Sequence, residues 1–194
     1  MIASHLAPNL VWALAGVFAV LIMASLLVFG LGRRVPRLGT PELAARLRSW
    51  WIMILLFSGA ILLSRTAALC FLGVVSFLAL KEYLSLIPTR RVDRQVLLWV
   101  YLAVPVQYYW VATGWYGLFV IFVPVYMFLL LPVPMLLRGE TKGFLKALGT
   151  LNWGLMATVF SLSHAAYLLV LPDAGNPVGG GAGLLLYLLI LTEA

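Results

Sequence analysis

The sequence predicts an all-α protein, a polytopic bundle of transmembrane helices with about seven hydrophobic segments. Of the 194 residues, 64% are apolar and only 10% are charged, and the mean hydropathy is +1.08. A soluble domain is closer to half apolar and a quarter charged. A soluble fold of this length could not bury so much apolar surface, so lipid has to solvate much of the chain.

The apolar runs divide the chain into spans of about 20 residues, the length that crosses a bilayer. We expect one membrane domain over residues 1–194, with spans at about residues 10–31, 50–64, 66–87, 96–113, 115–137 and 151–171, and an incomplete one at 177–194. Because the last apolar piece is too short to cross, we interpret the chain as the front part of a longer protein. A short interfacial or re-entrant helix is the alternative.

Basic residues are concentrated in alternate loops. Eleven of the 13 Lys and Arg residues lie at positions 33–48, 90–94 and 138–146. This is the positive-inside pattern, so we expect these loops in the cytoplasm, the N-terminus outside, and the protein in the cell (inner) membrane. The first run, residues 10–31, is longer than a signal-peptide core and predicts a retained span.

The stretch over residues 50–87 is the hardest to divide. One long helix would reverse the side of the later basic loops, and a re-entrant hairpin would leave Arg65 inside the membrane at a cost of at least ~2.5 kcal/mol. We therefore predict two spans that meet at Ser64-Arg65-Thr66. Before them, Thr40-Pro41-Glu42 is typical of a helix start, and Leu43–Arg48 suits a short helix at the inner surface.

The first candidate site consists of Lys81, Glu82, Arg90 and Arg91, as phosphate- or lipid-binding residues. Ionisable side chains within a span are functional candidates by default, and guanidinium groups bind phosphate in a bidentate manner. The alternatives are that Lys81 reaches the nearby interface with its long side chain and that the arginines only set topology.

A second candidate is a polar intramembrane site at His164 and Asn152. A histidine in a span could relay protons or bind metal, but no second ligand lies three or four residues away. The alternative is a neutral side chain that bonds to a neighbouring helix. The glycine-rich run at residues 179–183 lacks the lysine of a P-loop. No metal ligands are predicted.

Several segments resemble the phosphatidate cytidylyltransferase (CDP-diglyceride synthase) family. They are Phe77–Arg91, Gly114–Phe119, Ile121–Tyr126, Asn152–Met156 and Leu162–Ala165. The resemblance runs from about Arg48 to the C-terminus and concerns the amino-terminal membrane part of the family. The acidic and basic half that carries the family's Mg²⁺ and CTP sites is expected beyond Ala194, so the catalytic residues are unknown here.

The resemblance implies a nucleotidyltransferase that makes CDP-diacylglycerol and pyrophosphate from CTP and phosphatidate with Mg²⁺. Its partners would be the lipid bilayer, phosphatidate and CTP, and no nucleic acid is expected. Whether the protein forms a homodimer is left undecided. Lys81, Arg90 and Arg91 would then hold the lipid phosphate. We expect this chain alone to be inactive. The other hypotheses are a non-catalytic membrane scaffold and a transporter or channel subunit.

Overall fold

The computed structural model describes residues 8–31, 41–87, 94–137, 143–171 and 180–193. Of these residues 94% are helical, and none of them lies in a strand. Six helices are long and apolar enough to cross a membrane. The predicted all-α transmembrane architecture is thus confirmed.

Seven helices account for this part of the chain. In chain order they are α1 (Pro8–Leu26, continued by the π-helical turns Leu27–Leu31), α2 (Pro41–Leu63), α3 (Arg65–Ser85), α4 (Arg94–Thr113), α5 (Tyr116–Leu136), α6 (Phe144–Val170) and α7 (Gly180–Glu193). With 14 residues, α7 is shorter than the other six and reaches only about 21 Å.

The break between α2 and α3 lies where the sequence predicts it. Ser64 is the single non-helical residue between them, and its Oγ accepts a hydrogen bond from the Ala67 N–H at 3.0 Å. This is the N-cap arrangement, in which a serine oxygen satisfies one of the free amides of the first turn. The stretch is therefore two helices and not one long helix.

The start of α2 differs from the prediction. The helix runs without interruption from Pro41, with Glu42 in its first turn, so the short surface helix expected over residues 43–48 is wrong: these residues are the first turns of the span itself. The apolar run begins at Trp50, two residues after Arg48, and no helix breaker separates the two stretches. Thr40, the expected cap, lies outside the described residues.

The helices of the second half contain wide turns. Phe122–Met127 in α5, which includes Pro124, and Leu155–Phe160 in α6 are π-helical, and Pro105 lies inside α4. Proline removes a backbone donor, and membrane helices tolerate it where neighbours cover the freed groups.

The chain forms two compact units. Unit 1 comprises Met1–Ala68 with Pro172–Ala194, and unit 2 comprises Leu69–Leu171. Unit 1 thus holds α1, α2 and α7, while unit 2 holds α4, α5, α6 and most of α3.

In unit 1, a leucine stripe on α1 is covered by protein. Leu10, Leu14 and Leu21 are 1%, 6% and 7% exposed, whereas Trp12 on another side of the helix is 77% exposed. Because residues four and seven positions apart share a helix face, one side of α1 packs inward and the rest is left for an apolar solvent.

Unit 2 has a denser core. Aliphatic and aromatic side chains from all four of its helices are at most 2% exposed: Leu80, Val100, Val111, Phe119, Val123, Leu131, Leu155 and Val159. Four polar or aromatic side chains, described below, add hydrogen bonds between these helices.

Candidate functional site

Two hydrogen bonds fix the direction of α3 against α6. The Ser76 hydroxyl donates to the Thr158 carbonyl at 2.8 Å, and the Tyr83 hydroxyl donates to the Thr150 carbonyl at 3.0 Å. The later residue of α3, Tyr83, bonds to the earlier residue of α6, Thr150, so the two helices are antiparallel. The end of α3 therefore lies beside the beginning of α6. We call this end of unit 2 the basic end, because it carries Lys81 on α3 and Lys146 on α6.

A close approach between α3 and α6 depends on Gly154. A Cβ atom on this residue would collide with the Tyr83 ring. Only glycine has no Cβ, so it lets the ring lie against the backbone of α6. Small residues at helix contacts have this role in membrane proteins, where packing and hydrogen bonds replace the hydrophobic effect.

Lys81 and Glu82 are both exposed at the basic end. Neither forms an ion pair with another residue in the described ranges, which agrees with their divergent directions on the helix. Lys146, in the first turn of α6, is exposed at the same end. Two exposed lysines from different helices thus lie at this end of the unit, and among the described residues neither of them has an ion-pair partner.

Arg90 and Arg91 lie outside the described residues. In the sequence they follow Ser85, the last residue of α3, by five and six positions. Their predicted role in phosphate binding stays a prediction.

Asn152 lies two residues beyond Thr150 on α6. Its Nδ2 is buried and has no hydrogen-bond partner among the described residues. Within the part of the chain that the structure describes, this amide nitrogen therefore makes no bond to a neighbouring helix. A buried amide group that is left without a partner costs about 1–3 kcal/mol.

Further along the unit, Gln107 joins three helices. Its Nε2 donates to the Phe119 carbonyl at 3.0 Å and to the Ser163 Oγ at 3.1 Å, and both Gln107 and Ser163 are fully buried. The Ser163 hydroxyl in turn donates to the Phe160 carbonyl. The Gln107 Oε1 accepts nothing among the described residues.

His164 points away from this buried network. It is exposed, and its Nδ1 lies 2.8 Å from the Phe160 carbonyl of the same helix. The imidazole packs against Phe119 and Phe160 with centroids 4.6 and 4.3 Å apart. The sequence analysis gave a bond to a neighbouring helix as one alternative, but the bond that His164 makes lies within its own helix. Asn152 precedes His164 by 12 positions on the same helix, which is about 18 Å, so the structure does not bring the two together.

Neither Gln107 nor Tyr83 was predicted from the sequence as a residue that joins helices. Gln107 is the one amide side chain in the middle of the span 96–113, and a polar residue in an apolar span is a signal for contact between helices. Tyr83 gave no such signal, because tyrosines at helix ends are common as interface anchors.

The described residues do not fit a magnesium site. Mg²⁺ prefers carboxylate and other oxygen ligands, and no group of three or more His, Cys, Asp or Glu side chains comes together in the described ranges. Glu42 and Glu82 are exposed and lie on different helices. No chemical step can therefore be built on a metal held by these residues.

Comparison of the sequence with known proteins assigns the chain to a protein family. The sequence profile described as "Cytidylyltransferase family" matches residues 44–194. The chain is also 40% identical over 182 residues to a protein of Escherichia coli (strain K12) whose name is "Uncharacterized protein YnbB". The alignment covers 94% of this chain but 59% of that relative, so the chain spans well under two thirds of its length. No solved structure matches.

Proposed function

Because the chain belongs to the cytidylyltransferase family, which includes CDP-diacylglycerol synthase, we propose that it is the membrane part of a phosphatidate cytidylyltransferase. The observation that carries the proposal is the family match over residues 44–194. The six helices that could cross a membrane support it, since phosphatidate is a membrane lipid.

The proposed reaction transfers a cytidylyl group to a lipid phosphate. A phosphate oxygen of phosphatidate attacks the α-phosphorus of CTP and forms a new P–O bond. The bond between the α-phosphorus and the bridging oxygen breaks, and pyrophosphate leaves with the electron pair. Catalysis of such transfers rests on positioning and on neutralisation of charge. Mg²⁺ belongs to the proposal, and the described residues do not supply its ligands.

The proposed orientation places the basic end of unit 2 at the cytoplasmic leaflet of the cell membrane, with the N-terminus outside. The three basic loops support it. CTP is a cytoplasmic nucleotide, so both substrates would meet at this face. A homodimer is compatible with this arrangement and stays a proposal.

Lys81 is the described residue best placed to hold the lipid phosphate. Its exposed ammonium group lies at the basic end, within the reach of a headgroup if the helix spans the bilayer. Arg90 and Arg91 would add bidentate contacts. Glu82 has the wrong charge for phosphate, so we propose that it contacts the glycerol part of the lipid.

The first experiment tests the reaction itself. The chain and the product of its complete reading frame are purified in detergent and supplied with radiolabelled CTP, phosphatidate and Mg²⁺. The complete product should form CDP-diacylglycerol. If it forms none, the proposed reaction is wrong, and the scaffold and transport hypotheses take its place.

The second experiment tests the residues. In the complete product, combined replacement of Lys81, Arg90 and Arg91 by alanine should raise the KM for phosphatidate about tenfold or more, because each lost charge–phosphate contact is worth roughly 1 kcal/mol. Arg65→Ala is the matched control, since Arg65 is exposed at the opposite end of α3. An unchanged KM in the triple variant would remove these residues from the site.

A further inference from the structure

Gln107 is a fully buried amide on α4, and only its nitrogen is fully hydrogen-bonded. The two hydrogens of Nε2 go to the Phe119 carbonyl at 3.0 Å and to the Ser163 Oγ at 3.1 Å. The Oε1 atom is buried and accepts no hydrogen bond among the described residues, although an amide oxygen has two lone pairs. The nitrogen of this amide is thus satisfied and its oxygen is not.

The orientation of the Gln107 amide is fixed by the Phe119 carbonyl. A carbonyl oxygen only accepts hydrogen bonds, so the group that faces it must be the NH2 group. Phe119 precedes Pro124 by five positions, which is the spacing of a π-helical hydrogen bond, and proline has no N–H to form one. Exchanging the oxygen and the nitrogen of the amide would therefore lose the bond to Phe119, and the unpaired oxygen cannot be removed in this way.

A second buried polar atom without a partner lies one turn further along α4. The Trp110 Nε1 is buried and donates to no acceptor in the described ranges. Because Trp110 follows Gln107 by three positions, the two side chains are neighbours on one helix face. Helical side chains lean toward the preceding turn, which for Trp110 is the turn of Gln107. The two atoms are complementary, since an indole N–H only donates and an amide oxygen only accepts.

Both side chains pack against the same part of the chain, at the beginning of α5. Gln107 bonds to the Phe119 carbonyl, and the Trp110 ring lies edge-on to the Trp115 ring with centroids 5.5 Å apart. Trp115 and Phe119 are one helical turn apart, because the Phe119 N–H donates to the Trp115 carbonyl at 3.0 Å. The unpaired donor and the unpaired acceptor therefore lie along one seam between α4 and α5.

The surrounding lipid has nothing to offer these two atoms. Hydrocarbon has neither hydrogen-bond donors nor acceptors, so polar groups at membrane depth have to be satisfied within the protein or by ordered water. Buried polar groups in proteins nearly always have such a partner. Water is the smallest molecule that can accept a hydrogen bond from one of the atoms and donate one to the other.

We propose that one water molecule is bound between α4 and α5, where it accepts a hydrogen bond from the Trp110 Nε1–H and donates one to the Gln107 Oε1. Buried waters commonly bridge polar groups that are otherwise unpaired. Since Gln107 also bonds to Ser163 of α6, the water completes a network that connects three helices of unit 2. The site does not depend on the proposed reaction.

The test is nuclear magnetic resonance of the whole chain in detergent micelles, with ¹⁵N-labelled tryptophan. It measures magnetisation transfer between each indole N–H proton and water. A water that stays bound while the protein tumbles gives nuclear and rotating-frame Overhauser effects of opposite sign, and we expect this signature at Trp110. Trp115 and Trp153, which are 59% and 68% exposed, are controls in the same spectrum and should lack it. The Trp110 signal is assigned by its loss in Trp110→Phe.

Two variants separate the water from other sources of the signal. Gln107→Leu removes the acceptor and should abolish the signature at Trp110. Hydroxyl protons exchange with water and can imitate it, so Ser163→Ala, which removes the hydroxyl beside Gln107, should leave it in place. A missing signature at Trp110 in the unaltered chain overturns the proposal, whether or not the variants fold. So does an undiminished signature in Gln107→Leu, or its loss in Ser163→Ala.

A thermal measurement provides an independent check. Trp110→Phe keeps an aromatic ring but removes the N–H, so it should lower the Tm of the unaltered chain. In the Gln107→Leu background the bridging water is already lost, and the same replacement should change the Tm much less. Equal Tm losses in the two backgrounds would show that Trp110 and Gln107 act independently and would overturn the shared water.

Discussion

The helices of the two units differ in how much of their apolar surface the protein itself covers. In the most apolar windows of α1 and α2, 11% of the residues are buried, against 28% to 39% in the windows of α3, α4, α5 and α6. Hydropathy does not explain this, since α1 has the highest value of the six. The exposed surface of α1 and α2 is therefore available to lipid, whereas the helices of unit 2 are more closely packed against one another.

The two units also differ in the hydrogen bonds that join their helices. Unit 2 has several such bonds from buried or half-buried side chains, those of Ser76, Tyr83, Gln107 and Tyr108. In the described residues of unit 1, a hydrogen bond between two helices runs from the Trp51 indole of α2 to the Ser25 hydroxyl of α1. Because apolar area gives no net attraction between helices in lipid, we expect close contacts and hydrogen bonds to make unit 2 the more rigid of the two.

The largest effect should follow a substitution at the tightest contact in unit 2. In Gly154→Ala the new methyl group collides with the Tyr83 ring, and overpacking of this kind costs about 1–3 kcal/mol. Thermal unfolding of the detergent-solubilised chain should show a Tm several degrees lower. Gly149→Ala is the control on the same helix, because its Cβ would meet nothing within 4 Å. Equal Tm values for the two variants would contradict the close packing of α3 on α6.

A smaller effect should follow the loss of one buried hydrogen bond in unit 2. Tyr108→Phe removes the bond from the Tyr108 hydroxyl to the Leu72 carbonyl, which is 3.0 Å long. Hydrogen bonds between membrane helices are worth about 0.6 kcal/mol on average and up to about 1.7 kcal/mol. We expect a value near the upper end, measured as the change in unfolding free energy, because the side chain is buried. Tyr109→Phe, at an exposed neighbour, should change nothing, and a matching loss there would show that the hydroxyl bond is irrelevant.

The smallest effect should follow the corresponding change in unit 1. Ser25→Ala removes the acceptor of the Trp51 indole, at a cost of about 0.6 kcal/mol or less, since this bond is only half-buried. Ser49→Ala is the control, because the bond that the Ser49 hydroxyl makes among the described residues lies within its own helix, to the Ala45 carbonyl. The free energy of unfolding is again the quantity to measure. A loss in Ser25→Ala larger than that in Tyr108→Phe would reverse the comparison between the units.

Much of the fold could be predicted from hydropathy and charge. The break at Ser64, the spans near residues 96–113 and 115–137, and the short last helix all lie within a few residues of their predicted positions. The beginning of α2 was placed nine residues too late, because Arg46 and Arg48 lowered the local hydropathy although the helix continues through them. The candidate site was harder to predict: Lys81 and Glu82 are exposed near the end of α3, and their role in phosphate or lipid binding stays a prediction, as does that of His164 and Asn152.

The sequence by itself determined the helical class, the number of long apolar helices and the family. These depend on local properties, namely the length of an apolar run, the residue that ends it and short stretches of similarity. Only the tertiary structure decided that Gln107 meets Ser163 and that Tyr83 lies against Gly154. The physical reason is that α1 and α3 are apolar nearly all round, so their sequences do not mark which face turns inward. That choice is made by packing against residues far away in the chain.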